Sequence, residues 1–172
     1  QQASRQWKSG MMSSGPEADQ PFNSSNTPYL ALGGEASVRA LAESFYAHMD
    51  RNPNYTGIRS MHEPDLNAAI EKFYLFLTGW LGGPQLYIEQ HGHPRLRMRH
   101  APFSIGESER DQWLSCMAEA MDECEVSGDI RAFLDARFAH VADFTSRKSR
   151  SNKIADTASP SQIGFAISAI TI

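Results

Sequence analysis

Residues 82–103 of the chain read GGPQLYIEQHGHPRLRMRHAPF, and the interpretation of the whole sequence starts from this stretch. It lies between two segments with a helical period and forms most of a polar connection over about residues 85–104. Helix–helix connections usually take about 2–8 residues, and a longer one in a compact domain is usually functional or disordered. The connection holds three of the six histidines of the chain, together with three arginines: His91, His93, His100, Arg95, Arg97 and Arg99.

Three kinds of site are compatible with these side chains. The His91-x-His93 pair and His100 together supply three imidazoles, which are enough for a catalytic zinc ion. The arginines by themselves would hold an anionic ligand. In the third arrangement, one histidine binds the iron of a haem while the arginines neutralise its carboxylates. A helical domain of roughly 110 residues with a wide aromatic core suits that cofactor.

The sequence on both sides of the connection predicts helices. In the first of them Leu41 and Phe45 belong to an apolar face with helical spacing, and the asparagine before Pro53 ends the pattern. An S-x-x-E pattern at Ser104 and Glu107 predicts a capping box where the third helix begins. No segment alternates apolar and polar residues for long enough to predict a strand. The predicted fold class is therefore all-α, with four substantial helices at about residues 35–50, 64–81, 105–125 and 129–145.

The composition excludes several classes of protein. The chain has 172 residues with 16 basic and 20 acidic side chains, which gives a net charge of −4. Because a general nucleic-acid-binding protein needs a basic surface, we expect no nucleic-acid partner. No apolar run approaches the roughly 20 residues that span a bilayer, so we also expect no membrane segment. Cys116 and Cys124 fit neither a CxxC redox pair nor a zinc ribbon, and they are typical of buried thiols in a reducing compartment.

The two ends of the chain differ from its middle in composition. Residues 1–32 are rich in Ser, Gln, Gly, Pro and Asn and have no apolar period, which predicts a disordered N-terminal extension. Residues 33–145 are the predicted helical domain, and residues 146–172 are expected to be a flexible tail. Residues 1–32 lack the apolar stretch of a signal peptide, so we expect a cytoplasmic protein. Targeting to an organelle is the alternative, because Arg5, Lys8 and several serines occur in this extension.

The quoted stretch resembles the signature of the group II truncated haemoglobins. The matching pattern is GGPxxYxxxxGHPxLRMRHAPF, and it continues over residues 109–117 as ERDxWLxCM. The resemblance covers about residues 29–145 and includes the Gly-Gly pair at residues 33–34. Two Gly-Gly breaks at the ends of shortened helices are typical of truncated globins.

This resemblance implies a truncated globin fold, a two-over-two helical sandwich around haem b. His100 is similar to the proximal ligand of the family and would bind the iron through Nε2. Lys72, Tyr87 and Arg99 are similar to residues that contact the haem propionates, and the flexible stem of a lysine suits an exposed carboxylate. Six further residues are expected to pack against the haem: Phe73, Phe76, Leu77, Leu96, Phe103 and Met117.

The resemblance also implies a ligand-binding pocket on the distal side of the haem. Tyr46 and Trp113 match the distal tyrosine and tryptophan of the family, and both donate hydrogen bonds from large apolar side chains. The third polar position falls at His62 or at Met61, and we choose His62 with a one-residue gap in the loop. Ala69 matches the usual distal helix position, where a small side chain leaves the mouth of the pocket open.

Several donors around one ligand imply tight binding of O2, with NO and CO as further diatomic ligands. Slow release disfavours oxygen delivery and favours ligand chemistry. The expected activities are nitric oxide dioxygenation or peroxidase-like reduction, which an unidentified reductase would support. A sensor of O2 or NO, or a storage protein, is the alternative, and a non-haem zinc-binding helical module is a remote third. Members of the family often dimerise, so a homodimer is a candidate assembly.

Overall fold

A computed structural model describes residues 21–92 and 106–150, with side chains described as far as residue 143. Within these ranges the chain forms α-helices and one short 3-10 turn, Pro53–Tyr55, without a β-strand. The predicted all-α fold class is therefore confirmed. In chain order the helices are α1 (Pro28–Leu32), α2 (Glu35–Arg51), α3 (Thr56–Arg59), α4 (Asn67–Trp80), α5 (Leu86–His91), α6 (Glu107–Glu123) and α7 (Gly128–Arg150).

Helix α2 lies at the centre of the fold, since it packs against both α4 and α6. Its apolar residues recur every three or four positions and therefore share one side of the helix. Leu41, Phe45 and Met49 on that side are at most 1% exposed. The helix ends at Asn52, whose backbone is extended (φ −93°, ψ 115°) as the following Pro53 favours. This burial holds α2 in place between its two neighbours.

The turn between α1 and α2 consists of two glycines with positive φ, 119° at Gly33 and 76° at Gly34. Glycine has no Cβ and adopts this left-handed backbone without strain. The turn folds α1 back onto the domain, where the Tyr29 N–H donates to the Leu81 carbonyl at 2.8 Å. The predicted extension over residues 1–32 is therefore too long at its end, because α1 already packs on the helical domain.

The polar connection predicted over about residues 85–104 contains a short helix in its described part. Helix α5 begins after Pro84 and ends at Gly92, where φ is +71°, and it packs against α4. Residues 93–105 lie outside the described residues. The final helix differs from its prediction, because α7 continues to Arg150 and includes the first residues of the expected tail.

Helix α6 lies between α2 and α7 and carries Trp113 into the core. The sequence predicts its capping box at Ser104 and Glu107, and the described residues show a capping contact at Gly106 and Glu109. The helix begins at Glu107, and the Glu109 carboxylate accepts a hydrogen bond from the Gly106 N–H at 2.9 Å. This contact satisfies a backbone donor at the helix start, as a capping-box glutamate does. Ser104 lies outside the described residues.

The described helices differ from membrane-spanning helices in length and composition. None of them combines the length and the apolar composition needed to cross a bilayer.

Candidate functional site

Four aromatic side chains meet where α2, α4 and α6 come together. The ring centroid of Phe45 is 5.2 Å from that of Tyr46, 5.2 Å from that of Phe73 and 5.4 Å from that of Trp113. These four side chains, here called the aromatic cluster, are at most 6% exposed. The cluster brings the two predicted distal residues Tyr46 and Trp113 into one buried region from two different helices.

His62 reaches the aromatic cluster from the segment between α3 and α4. Its Nε2 lies 3.4 Å from the Tyr46 hydroxyl oxygen, and the two rings meet edge to face at a centroid distance of 5.3 Å. Its Nδ1 lies 2.9 Å from the backbone carbonyl oxygen of Ile58. A carbonyl only accepts hydrogen bonds, so Nδ1 carries a proton and the neutral ring presents Nε2 as an acceptor. Tyr46 therefore donates to His62 in this arrangement, over a distance that is long for such a bond.

The Tyr46 hydroxyl keeps its proton and therefore remains a hydrogen-bond donor. Burial raises its pKa far above the ordinary value of a tyrosine, because the phenolate would lose its hydration, and the neighbouring Cys116 adds to the rise. The side chain is fully buried at 0% exposure. At physiological pH this group consequently stays protonated and can donate to an electronegative ligand.

The position of His62 depends on a contact between the short helix α3 and helix α6. The Ile58 N–H donates to Gln112 Oε1 at 3.2 Å, while the carbonyl of the same residue accepts from His62. Gly57 allows this approach, since a Cβ there would lie 2.8 Å from the Gln112 amide. Gln112 directly precedes Trp113 in the chain. The Ile58 peptide unit thus links the loop of His62 to the helix that carries Trp113.

The structure places the two candidates for the third distal position in different surroundings. His62 contacts the Tyr46 hydroxyl, whereas Met61 is half-buried against the hydrophobic core. The geometry therefore supports His62, and its role towards a ligand stays a prediction.

The other predicted site residues that the structure describes lie on α4, α5 and α6. Phe73, Leu77 and Met117 are each 1% exposed, and Lys72 and Ala69 are half-buried. Phe76 and Tyr87 are half-buried and meet edge to face at a centroid distance of 6.3 Å, which joins α4 to α5. Of these residues, Phe73 belongs to the aromatic cluster itself. Four predicted residues lie outside the described residues, and their roles stay predictions: Leu96, Arg99, His100 and Phe103.

The donor chemistry of the site fits a haem and its diatomic ligand. Tyr46 and Trp113 are neutral hydrogen-bond donors in apolar surroundings, and His62 is the polar side chain observed against Tyr46. Across the described ranges, no three His, Cys, Asp or Glu side chains are grouped so that they could hold a metal ion. The zinc alternative is not tested by this result, because His93 and His100 lie outside those ranges. Flat apolar side chains such as Phe73 are suited to pack against a porphyrin.

Two features of this region escaped the sequence analysis. Arg59 forms hydrogen bonds with Asp50 on α2 and with the carbonyl of Glu63, which directly follows His62. In the sequence, a basic residue in a polar stretch indicates only a solvated surface. Trp80 stacks on Phe138 at a centroid distance of 5.2 Å, and Phe138 also contacts Trp113. Trp80 was recognisable in principle, since it lies three positions after Leu77 on the apolar side of α4. The bonds of Arg59 carried no such signal.

The chain is similar in sequence and fold to several known proteins. The sequence model of the family described as bacterial-like globin matches residues 27–145. The group 2 truncated hemoglobin YjbI of Bacillus subtilis is 41% identical over 131 residues, with 74% of this chain and 96% of that protein covered. The solved group II 2-on-2 hemoglobin of Agrobacterium tumefaciens is 46% identical, with a TM-score of 0.63 and coverage of 69% and 92%. The structure of truncated oxygen-avid haemoglobin from Bacillus subtilis is 43% identical, with a TM-score of 0.61 and coverage of 69% and 98%.

Proposed function

Because the chain belongs to the bacterial-like globin family and is a group 2 truncated haemoglobin, we propose that it binds O2 tightly in a pocket made by Tyr46, His62 and Trp113. Membership of the family implies a haem cofactor and the binding of diatomic gases such as O2. The finer proposal is that the cofactor is haem b and that NO and CO enter the same pocket. A solved relative from Bacillus subtilis is described as oxygen-avid, which supports the proposed tight binding.

One observation carries this proposal, namely the contact of His62 with Tyr46, which belongs to the aromatic cluster. Tyr46 supplies an O–H donor that stays protonated, and Trp113 supplies an N–H donor that has no acceptor function. In a dry apolar pocket a donor aimed at a partly negative ligand stabilises the bound state by about 1–3 kcal/mol. As a neutral ring, His62 accepts a hydrogen bond from Tyr46 and would hold the phenol in place until a ligand accepts that hydrogen bond instead.

The remaining predicted residues would hold the cofactor. When bound, a haem supplies an iron that binds diatomic gases and exchanges electrons. We assign the iron ligand to His100, on the match of its motif to the family. Lys72, Tyr87 and Arg99 would neutralise or hydrogen-bond the propionates. Phe73, Leu77 and Met117 offer the buried apolar surface that a porphyrin needs, and Phe76 lies beside Tyr87 at its edge.

Tight retention of O2 favours a reaction over delivery. The proposed reactions are the dioxygenation of nitric oxide to nitrate and peroxidase-like reduction of a peroxide. Both consume electrons over repeated turnovers, so an unidentified reductase would be the partner. An O2 or NO sensor or a storage protein is the alternative, and it requires no sustained turnover.

Haem reconstitution tests the proposal at its base. The full chain mixed with haem should develop a Soret band at about 400 nm, as globin-bound haem does. His100→Gly should lose that spectrum, while His140→Gly, a change of an exposed histidine on α7, should keep it. Absence of the band in the unchanged chain would contradict the globin function, and an unchanged spectrum in His100→Gly would contradict the assigned iron ligand.

A second experiment separates enzyme from sensor or storage protein. The O2-loaded protein is mixed with nitric oxide in a stopped-flow instrument in the presence of a reductase and its electron donor. Multiple turnovers with nitrate as product support nitric oxide dioxygenation. A single turnover supports binding, storage or sensing instead.

A further inference from the structure

The guanidinium group of Arg59 is held at all three of its nitrogen atoms. Nε donates to Asp50 Oδ1 at 2.8 Å, Nη1 to the Glu63 carbonyl at 3.0 Å and Nη2 to the Pro64 carbonyl at 3.1 Å. A planar guanidinium with five N–H donors is suited to join several oxygens in this manner. The Arg59 side chain is 23% exposed and that of Asp50 is 56% exposed, so the bonds lie at the surface, and it is their number and direction that restrain the guanidinium.

The oxygens that Arg59 binds lie on two separate parts of the chain. Asp50 follows Tyr46 by four positions on α2, so the two residues lie on the same face of that helix. Glu63 and Pro64 directly follow His62. Arg59 therefore ties the backbone after His62 to the helix that carries Tyr46.

The local contacts of His62 hold it to α3. Its backbone N–H donates to the Arg59 carbonyl at 3.1 Å, and its Nδ1 donates to the Ile58 carbonyl at 2.9 Å. These bonds set the ring relative to α3. The side chain of Arg59 adds the connection to α2, and the position of His62 against Tyr46 depends on both.

Space for movement is present on the open side of this segment. A cleft of about 570 Å³ lies beside it, and its walls include Asp50, Arg59, His62 and Pro64. A loop released from Arg59 could turn its histidine towards this cleft and away from Tyr46. The clamp of Arg59 opposes that movement.

We propose that Arg59 is a positioning residue of the distal pocket, which holds the His62 imidazole against the Tyr46 hydroxyl and thereby slows ligand release. The inference rests on the proposed function, because it concerns the same pocket. Arg59 touches neither ligand nor cofactor in this role and acts through His62.

An ordinary surface ion pair would have a smaller consequence, since such pairs contribute little to stability and nothing to a distant pocket. Helix α7 offers a matched control in Arg131, which is 22% exposed and binds Asp122, Asp135 and the Val126 carbonyl. It has the same kind of partners as Arg59, but it joins the end of α6 and the following turn to the first turns of α7, away from His62 and Tyr46. A purely structural role predicts similar effects for both arginines.

The test compares Arg59→Gln with Arg131→Gln in the haem-reconstituted full chain. Three quantities are measured: the urea midpoint, the O2 dissociation rate, and the C–O stretching frequency of the CO adduct, which reports the donors around the ligand. For Arg59→Gln we expect O2 release about three- to tenfold faster and a shifted or split C–O band. For Arg131→Gln we expect a comparable change of the urea midpoint with wild-type release and a wild-type C–O band.

The dependence on His62 is tested in a second background. In His62→Leu, the further change Arg59→Gln should alter the release rate by less than about twofold, because the residue through which it acts is gone. If Arg59→Gln fails to fold, Asp50→Asn is used, which removes only the ionic partner and should shift release and the C–O band in the same direction.

Two results would overturn the inference. One is a folded Arg59→Gln protein with wild-type release and a wild-type C–O band. The other is an undiminished effect of Arg59→Gln in the His62→Leu background. Both leave the proposed function standing, whereas wild-type release in Tyr46→Phe and His62→Leu would contradict the pocket itself.

Discussion

At the residue scale, the chemistry of the site depends on side chains whose burial and contacts decide which of their atoms donate hydrogen bonds. Tyr46 is fully buried and stays a phenol, and the Ile58 carbonyl holds the proton of His62 on Nδ1. Trp113 supplies an N–H donor that no change of pH removes. Each donor in the pocket is thus defined by its burial or by a backbone contact.

Loss of the Trp113 donor should speed the release of O2. Trp113→Phe keeps an aromatic ring against Phe45 and Phe138 but removes the indole N–H. We expect O2 dissociation about 10–100-fold faster, which corresponds to about 1.4–2.7 kcal/mol. Stopped-flow replacement of O2 by CO measures the rate.

Trp80→Phe is the matched control for this change. The Trp80 side chain also contacts Phe138, and its Nε1 is buried with no hydrogen-bond partner among the described residues. We expect wild-type release in Trp80→Phe. Equal rates in Trp113→Phe and the wild type would remove Trp113 from the ligand-binding pocket.

The buried thiol of Cys116 makes folding sensitive to alkaline pH. Burial raises the pKa of this thiol from 9.0 to about 12 in the folded protein, and its S–H group donates to the Phe45 carbonyl at 3.2 Å. The unfolded chain therefore releases this proton at lower pH than the folded chain does. The contribution to stability is present below pH 9 and declines as the pH rises towards 12.

Comparison with Cys116→Ala tests this pH dependence by urea unfolding at pH 8 and pH 10. Between these values the wild type should lose about 1.4 kcal/mol more stability than the variant, since only its unfolded state gains a thiolate at this position. A parallel loss in both proteins would show that Cys116 does not cause the alkaline sensitivity.

At the scale of the elements, close approaches between helices and turns decide which residues are tolerated. Gly83 lies against the end of α4, where its N–H donates to the Thr78 carbonyl at 2.8 Å. A Cβ at Gly83 would lie 2.8 Å both from that carbonyl oxygen and from the ring of Tyr29. The Gly-Gly break after α4 is thus also the surface on which α1 packs.

Gly83→Ala should therefore destabilise the fold by about 1–3 kcal/mol, as overpacking of a tight contact does. In Gly92→Ala the new methyl group would meet no atom of the described residues within 4 Å, so the cost that we expect is that of the backbone φ of +71°. That cost is about 1 kcal/mol. Urea unfolding of both variants measures the difference, and an equal or smaller loss in Gly83→Ala would refute the packing explanation.

At the scale of the whole molecule, the helical domain includes residues that composition assigns to an extension. The ring of Phe22 lies 4.9 Å from the ring of Phe133, and α1 bonds to the end of α4 through Tyr29. The family model also starts at residue 27. The N-terminal border of the domain is therefore set by contacts with distant helices.

Deletion of residues 1–32 should consequently lower the melting temperature of the protein. Removing the contacts of Phe22 and Tyr29 should cost about 2–4 kcal/mol, or very roughly 5–15 °C in a protein of this size. Deletion of residues 1–20 alone should have a much smaller effect. Calorimetry of the two shortened chains checks this, and equal melting temperatures would contradict a structural role of α1.

The sequence by itself predicted the all-α class and the main helices. It also indicated Tyr46 and Trp113 as site residues, and their role towards a ligand stays a prediction. Hydrophobic periodicity and the Gly or Pro residues at helix ends are local signals, because each helix contains them in its own residues. The residues at which the helices begin were predicted less accurately. At the start of α6 the described capping contact joins Gly106 and Glu109, whereas the sequence pattern indicated Ser104 and Glu107.

Only the tertiary structure decided how the pocket is held together. The contact of His62 with Tyr46, the link from Ile58 to Gln112 and the three bonds of Arg59 join residues from different helices and loops. A sequence pattern records the side of a helix that faces the core, but it does not record which polar group lies opposite. That choice follows from the packing of α2, α3 and α6, because a hydrogen bond forms only where folding brings donor and acceptor within about 3 Å.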